Sequence, residues 1–320
     1  MMKHIRSTIT TASAILAVIF TLEAGSSTLF ASASQPNSNG SSSPITVTTT
    51  NPNRANIVYN KFLYIVKQPN KLVEANAFLK SHIYEVTSYQ ASMMTLRLEN
   101  AQAAALPAWE TDTFFTNSVQ QQIAKIYKDG DDFSKLITRT KDSTLRKLFQ
   151  ASLDRGYKIE TAEGTFFPVI DYEGYKKYHP YVTKDIKSYI DIMAVESATP
   201  PSKDAGLMIS WKEVTSRALT QEAYVASFPN SNRTKQVNNL YKQYVMNTIY
   251  GQNNTPLFDY ESNIMDPDAR KSYETLLAES DPTDSALLKK LQAFMDVVHE
   301  NDYKLNSTVE NYRKINFPIE

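Results

Sequence analysis

The sequence predicts a mainly α protein, an irregular bundle of about ten helices with one inserted β-hairpin. Apolar residues recur at spacings of three and four along most of the chain, which lays them on one face of successive helices. Proline, glycine and short polar residues stand where those stripes begin and end. One stretch, 157–170, instead alternates in character around a turn.

Taken in order, the first residues have the three parts of a secretory signal peptide: Lys3 and Arg6, an apolar run from Ala12 to Leu22, and small residues ending in Ala31, Ser32 and Ala33. The apolar run is roughly half of what a bilayer-spanning helix needs, and Glu23 interrupts it. Removal of residues 1–33 is expected. Residues 34–53 are almost wholly Ser, Thr, Asn, Pro and Gly, with too little apolar surface to offset the entropy of ordering, and read as a flexible tether. Residues 54–320 are expected to form a single helical domain, with a sub-boundary near Gly156 as the alternative.

Within that domain a short helix over 55–67 precedes a long one over 70–106, whose stripe includes Leu72, Ala75, Leu79, Ile83, Val86, Met93 and Leu96. Pro107 is expected to open the next segment, where Val119, Ile123, Ile126 and Tyr127 share a face. Asp129-Gly130 stops it, and Asp131 can cap the helix carrying Phe133, Leu136 and Ile137. Leu145, Leu148, Phe149 and Leu153 form another stripe, closed by Gly156. The hairpin follows, with strands over 157–161 and 165–170 around Ala162, Glu163 and Gly164.

Helices resume after Thr183, with Ile186, Tyr189, Ile190 and Met193 on one side. Ser210 and Glu213 have the spacing of a capping box. Val237, Leu240, Tyr241, Tyr244, Val245 and Ile249 mark a helix that Gly251 ends. Asp266-Pro267 and Asp281-Pro282 are further starts, since proline lacks a donor that the first turn leaves unpaired anyway. Behind the second lies the clearest stripe in the chain: Leu287, Leu288, Leu291, Phe294, Met295 and Val298, read as core. A last helix covers 307–315, and no internal repeat is present.

Composition excludes several function classes. The chain has 34 basic and 34 acidic residues, and loss of Lys3, Arg6 and Glu23 with the leader keeps that near-balance. Nucleic acid, which needs a basic stripe to displace counterions, is not an expected partner. Stable membrane insertion after leader removal is not expected either. Without cysteine there is no disulfide, lipid-attachment or thiolate metal site, and an exported chain of this length without disulfides points to a bacterium. His82, His179 and His299 stand at no paired spacing, so no metal or other cofactor is expected. An EF-hand counted from Asp129 fails at Ser134 and Thr140.

Two segments carry candidate sites. Between 157 and 189 the chain is rich in tyrosine, with carboxylates nearby. Exposed aromatic faces beside carboxylates suit a sugar or peptide groove, and Tyr172, Tyr175, Tyr178, Tyr181 and Phe167 are the candidate ligand-binding residues. The alternative is that these tyrosines seal the hairpin against the helices. The second segment holds Glu196-Ser197 and, after a gap, Ala205-Gly206-Leu207-Met208. It resembles part of the lytic transglycosylase signature, departing from it in the shorter gap and at Ile209, where that family has glutamine. The resemblance implies that Glu196 is a catalytic general acid and base acting on peptidoglycan, a role suited to a buried carboxyl.

The leading expectation is an exported, non-enzymatic helical protein, secreted and acting at or near the cell envelope through a binding surface, with cell-wall glycan or another envelope protein as its partner. A cell-wall hydrolase built on Glu196 and an exported chaperone or inhibitor are the alternatives.

Overall fold

The computed structural model describes residues 52–319 of the chain. The expected leader, 1–33, and nearly all of the expected tether lie outside the described residues. The last tether positions, Pro52 and Asn53, already belong to helix α1, Pro52–Val66. Among the described residues there are twelve α-helices and three short antiparallel ladders, so the protein is mainly α with a small inserted hairpin.

Helix α1 packs with α2 (Leu72–His82) and α3 (Ser88–Trp109). The stripe that reads as one helix over 70–106 is therefore broken, by a 3-10 turn over Ile83–Glu85 and an extended Val86. The break is imposed by a new helix start. Thr87 Oγ1 accepts from the Gln90 amide at 3.3 Å, and Gln90 Oε1 accepts from the Thr87 amide at 3.1 Å. That reciprocal box satisfies two amides that a continuous helix would have paired inside itself. Pro107 does not open the next segment but sits inside α3. It cannot donate to the preceding turn, and just beyond it the helix widens into a π turn, Glu110–Phe114.

Three short helices follow: α4 (Asn117–Ile126), α5 (Phe133–Arg139) and α6 (Ser143–Asp154). Asp132, not Asp131, caps α5, accepting from the Lys135 amide at 2.7 Å. Asp131 instead pairs with Arg139. The hairpin has strands β1 (Tyr157–Ala162) and β2 (Thr165–Ile170), with Tyr157 opposite Ile170. On the outer side of β2 the Gln120 side chain accepts from the Phe166 amide at 2.8 Å and donates to the Phe166 carbonyl at 2.7 Å. The Ile170 carbonyl accepts from Ser197 Oγ at 3.2 Å.

Helix α7 (Lys184–Ala198) leads through a two-residue ladder, β3 (Ser202–Lys203) with β4 (Gly206–Leu207), into α8 (Trp211–Ser227) and α9 (Thr234–Tyr250). Ser210 caps α8 through the Glu213 amide at 3.2 Å, while the Glu213 carboxylate turns to Arg217 at 2.8 Å, so the box is one-sided. Gly251, at φ 71°, ends α9 and begins a third ladder, β5 (Gly251–Gln252) with β6 (Thr255–Pro256). The chain closes with α10 (Pro267–Glu279), α11 (Ala286–Glu300) and α12 (Ser307–Asn316). Asp266 caps α10, while Ser285, behind a 3-10 turn begun by Asp281-Pro282, caps α11.

Apolar burial, the main favourable term in folding, is gathered in two large clusters. The first runs from α1 to α7 and includes Phe62, Leu79, Phe149, Tyr157 and Ile190; Gly156 lies inside its span. The second joins Trp211, Phe258, Tyr273, Phe294 and Val298. Helices α8 and α9 belong to both, since Tyr224 and Val237 join the first while Trp211 and Ile249 join the second. All six residues of the α11 stripe are buried, so that face is core. Among the described residues no helix is long and apolar enough to cross a membrane.

Candidate functional site

After β2 the chain turns through a 3-10 helix, Glu173–Tyr178, before entering α7. Three residues per turn bring positions three apart into register, and Tyr172, Tyr175 and Tyr178 therefore form one row. Adjacent ring centroids are 5.7 Å apart in both pairs, the second edge-on. The row faces inward. The three residues are only 5%, 4% and 2% exposed, which corrects the expectation of a surface groove: they close the hairpin and turn onto α3 and α7. Tyr181 is half-buried at the edge of the same packing, and Phe167 is half-buried on β2.

Helix α3 carries a buried polar stripe, Ser92, Thr95, Glu99 and Gln102 at helical spacing, whose last two members meet this row. Glu99 Oε1 accepts from Tyr172 at 2.6 Å and also from Tyr189 of α7. Its other oxygen lies 2.7 Å from Arg233, at the start of α9. Burial works against the Arg233 charge, but Glu99 more than offsets it and holds the guanidinium pKa above its ordinary value. Burial and then Glu99 push the hydroxyl pKa values of Tyr172 and Tyr189 well up, so both remain neutral donors. Tyr175 donates to Gln102.

The third hydroxyl in the row differs. Tyr178 Oη is buried and has no hydrogen-bond partner, and burial raises its pKa. Tyr178 and Tyr175 line a cavity of about 100 Å³, together with Tyr157, Asp171, Lys177 and Asn76. Two glycines shape it. Gly156, at φ 80°, adopts a backbone conformation that suits glycine, and a Cβ there would collide with the Gln102 amide. At Gly174 a Cβ would meet Asp171 Oδ2 at 2.7 Å. Burial, then Lys80, lowers the Lys177 pKa. Lys177, Asp171 and Tyr178 thus stand together among the residues lining the cavity, beside the rings of Tyr157 and Tyr175. Such a set can orient a small polar group by hydrogen bonds while a ring covers its apolar side.

Glu196 lies elsewhere, near the end of α7. Tyr244 donates to it, 2.6 Å from Oε2, and Arg217 Nη1 is 3.6 Å from Oε1. Burial raises the Glu196 pKa, with the Tyr244 hydrogen bond and Arg217 opposing it. Arg217 also donates to the Thr199 carbonyl at 2.9 Å, so this cluster ties α7, α8 and α9 together. Glu196 does not line the tyrosine cavity or the groove between α10 and α11. Gly206 and Leu207 form strand β4, while Met208 is 56% exposed.

A further titratable group, like Glu99 and Arg233, carries no signal in the sequence. Glu110, at the π turn, is raised by burial from 4.5 to about 7. Beside it in sequence, Trp109 has the Arg155 guanidinium 3.7 Å from its ring centroid and donates to Ser152 Oγ at 3.1 Å. The histidines do not converge: His82 pairs with Glu85, His179 with Asp191, and His299 packs on Tyr303. Among the described residues no group of three or more His, Cys, Asp or Glu comes together to hold a metal ion. Set against known protein families, curated proteins and solved structures, the chain matches none of them.

Proposed function

We propose that the chain is an exported, non-enzymatic binding protein of the bacterial cell envelope, and that it takes a small polar group of its ligand into the cavity beneath the tyrosine turn. The observation that carries this reading is the buried Tyr178 hydroxyl. A buried hydroxyl left unpaired costs about 1–3 kcal/mol, and a ligand oxygen or amide reaching it would remove that cost. Lys177 and Asp171 supply one charge of each sign on the same wall. Tyrosine rings with flanking polar groups suit the acetamido and hydroxyl groups of a cell-wall glycan.

Cosedimentation with purified, insoluble peptidoglycan tests the reading. The protein freed of its leader should pellet with the wall, and Tyr178→Phe should pellet less while melting at an unchanged or higher temperature. A parent protein that stays in the supernatant at wall excess would refute it. Export itself is tested by the mass of the secreted product, which should begin at Ser34, because Ala31 and Ala33 offer the small side chains a signal peptidase requires.

The raised Glu196 pKa favours a second reading, a wall hydrolase with Glu196 as acid and base. It requires that the protein clear a peptidoglycan suspension and that Glu196→Gln abolish the clearing. The grip of Tyr244 and Arg217 on this carboxyl favours a structural tie instead.

A further inference from the structure

The second large cluster carries a separate surface feature. One face of α10 and one face of α11 leave an open groove of about 320 Å³ between them, with Tyr303 completing its wall. Leu277 and Ala278 give it apolar surface, with the buried Met295 at its floor. Glu274 and Asp296 bring carboxylates to it, with Gln292 and His299 alongside. Helical spacing explains the arrangement: 274 and 277 on one helix, and 292, 295, 296 and 299 on the other, each share a face.

Both carboxylates are held in place. Asp296 Oδ1 accepts from Gln292 Nε2 at 2.7 Å. Glu274 Oε1 accepts from Arg270 Nε and from Tyr303 Oη, each at 2.8 Å, and the Arg270 guanidinium lies over the Tyr303 ring at 3.5 Å. Arg270 therefore already neutralises much of Glu274, holding its pKa below the ordinary value through that hydrogen bond. Asp296 has no cationic partner among the salt bridges of the described residues. The groove thus pairs an apolar strip with an uncompensated negative charge.

We propose that this groove binds a lysine-bearing peptide segment of a partner protein. The lysine stem would lie along Leu277 and Ala278, and its ammonium would meet Asp296. A long cationic side chain buries its methylenes while keeping its charged head at the rim, which is what this combination of surfaces accommodates. An uncharged apolar occupant would strip water from Asp296 without replacing the lost interactions. An acidic occupant would face the Asp296 carboxylate. No residue lines both this groove and the tyrosine cavity, and the proposal stands independently of what that cavity binds.

The test uses the leader-free protein and two blocked tripeptides, acetyl-Leu-Lys-Leu-amide and acetyl-Leu-Glu-Leu-amide, titrated at low ionic strength and followed by amide chemical shifts. The lysine peptide should bind at millimolar concentration, shifting residues of α10 and α11, at least about threefold more tightly than the glutamate peptide, a ratio in keeping with one exposed charge pair. Asp296→Lys should reverse that preference. Position 296 is exposed, so the variant keeps the fold, which its circular dichroism and melting temperature will verify. No binding by the lysine peptide, a preference below threefold, a preference that survives Asp296→Lys, or shifts confined to the tyrosine turn would each overturn the proposal.

Discussion

Arg233 Nη2 lies 2.7 Å from Glu99 Oε2, although the two residues are 134 positions apart. The contact fastens the start of α9 to the middle of α3, and two tyrosine hydroxyls complete the shell of the carboxylate. Because Glu99 is almost wholly buried and Arg233 largely so, breaking one side leaves a charge with little to replace its water. Glu99→Leu should cost about 3–5 kcal/mol in urea unfolding. The double replacement Glu99→Leu with Arg233→Met should recover much of that loss, since it removes both charges. A single variant losing less than about 1 kcal/mol would show that the pair contributes little.

Tyr178→Phe removes a hydroxyl that has no partner in the ligand-free protein. Truncating a buried tyrosine hydroxyl usually costs a hydrogen bond worth roughly 0.5–1.5 kcal/mol. Here denaturant titration should show no loss. Tyr175→Phe, by contrast, removes the donor to Gln102 and should be destabilising by about that amount. Equal losses in the two variants would mean that Tyr178 is paired after all.

The pH profile should carry the mark of Glu110. Burial raises its carboxyl from 4.5 to about 7, so between those values the native state holds a proton that the unfolded chain has released. Stability from this group is full at the acid end of that window and declines as pH rises through it. Glu110→Gln stays neutral throughout. It should flatten the window and leave the variant more stable than the parent at about pH 8, as judged by melting temperatures across the range. An unchanged slope would reassign the proton uptake to another group.

Leu291 is 0% exposed in the middle of α11. Leu291→Ala should cost about 2–5 kcal/mol, from lost burial and the cavity left behind. The same change on a solvated face would cost under about 0.5 kcal/mol. Urea titration of this variant separates the two cases.

The α11 stripe was legible because its period is regular and Lys289 and Lys290 fall outside it. The break between α2 and α3 was harder to see, because Ile83 and Val86 keep the apolar rhythm across it, although Thr87 with Gln90 was the available signal. The tyrosines stood out by composition. Which way they face depended on a turn with three residues per repeat, and that turn is settled by tertiary packing. Glu99 and Arg233 could not be paired from spacing at all. What the sequence did hold was half of the answer: Ser92, Thr95, Glu99 and Gln102 make a polar stripe at helical spacing beside the apolar Ala91, Met94, Leu96 and Leu98 of the same helix. A stripe of that kind requires buried partners, but its spacing does not name them.

The outer margin of β2 has a consequence for how copies of the protein behave when crowded. An open strand margin offers unpaired amides and carbonyls on which another chain can template. Here Gln120 occupies both groups of Phe166, Pro168 has no amide hydrogen to offer, and Ser197 covers the Ile170 carbonyl. A second molecule arriving side by side finds little to zip onto. Extension of the sheet by a neighbouring copy is therefore disfavoured along this margin of the hairpin.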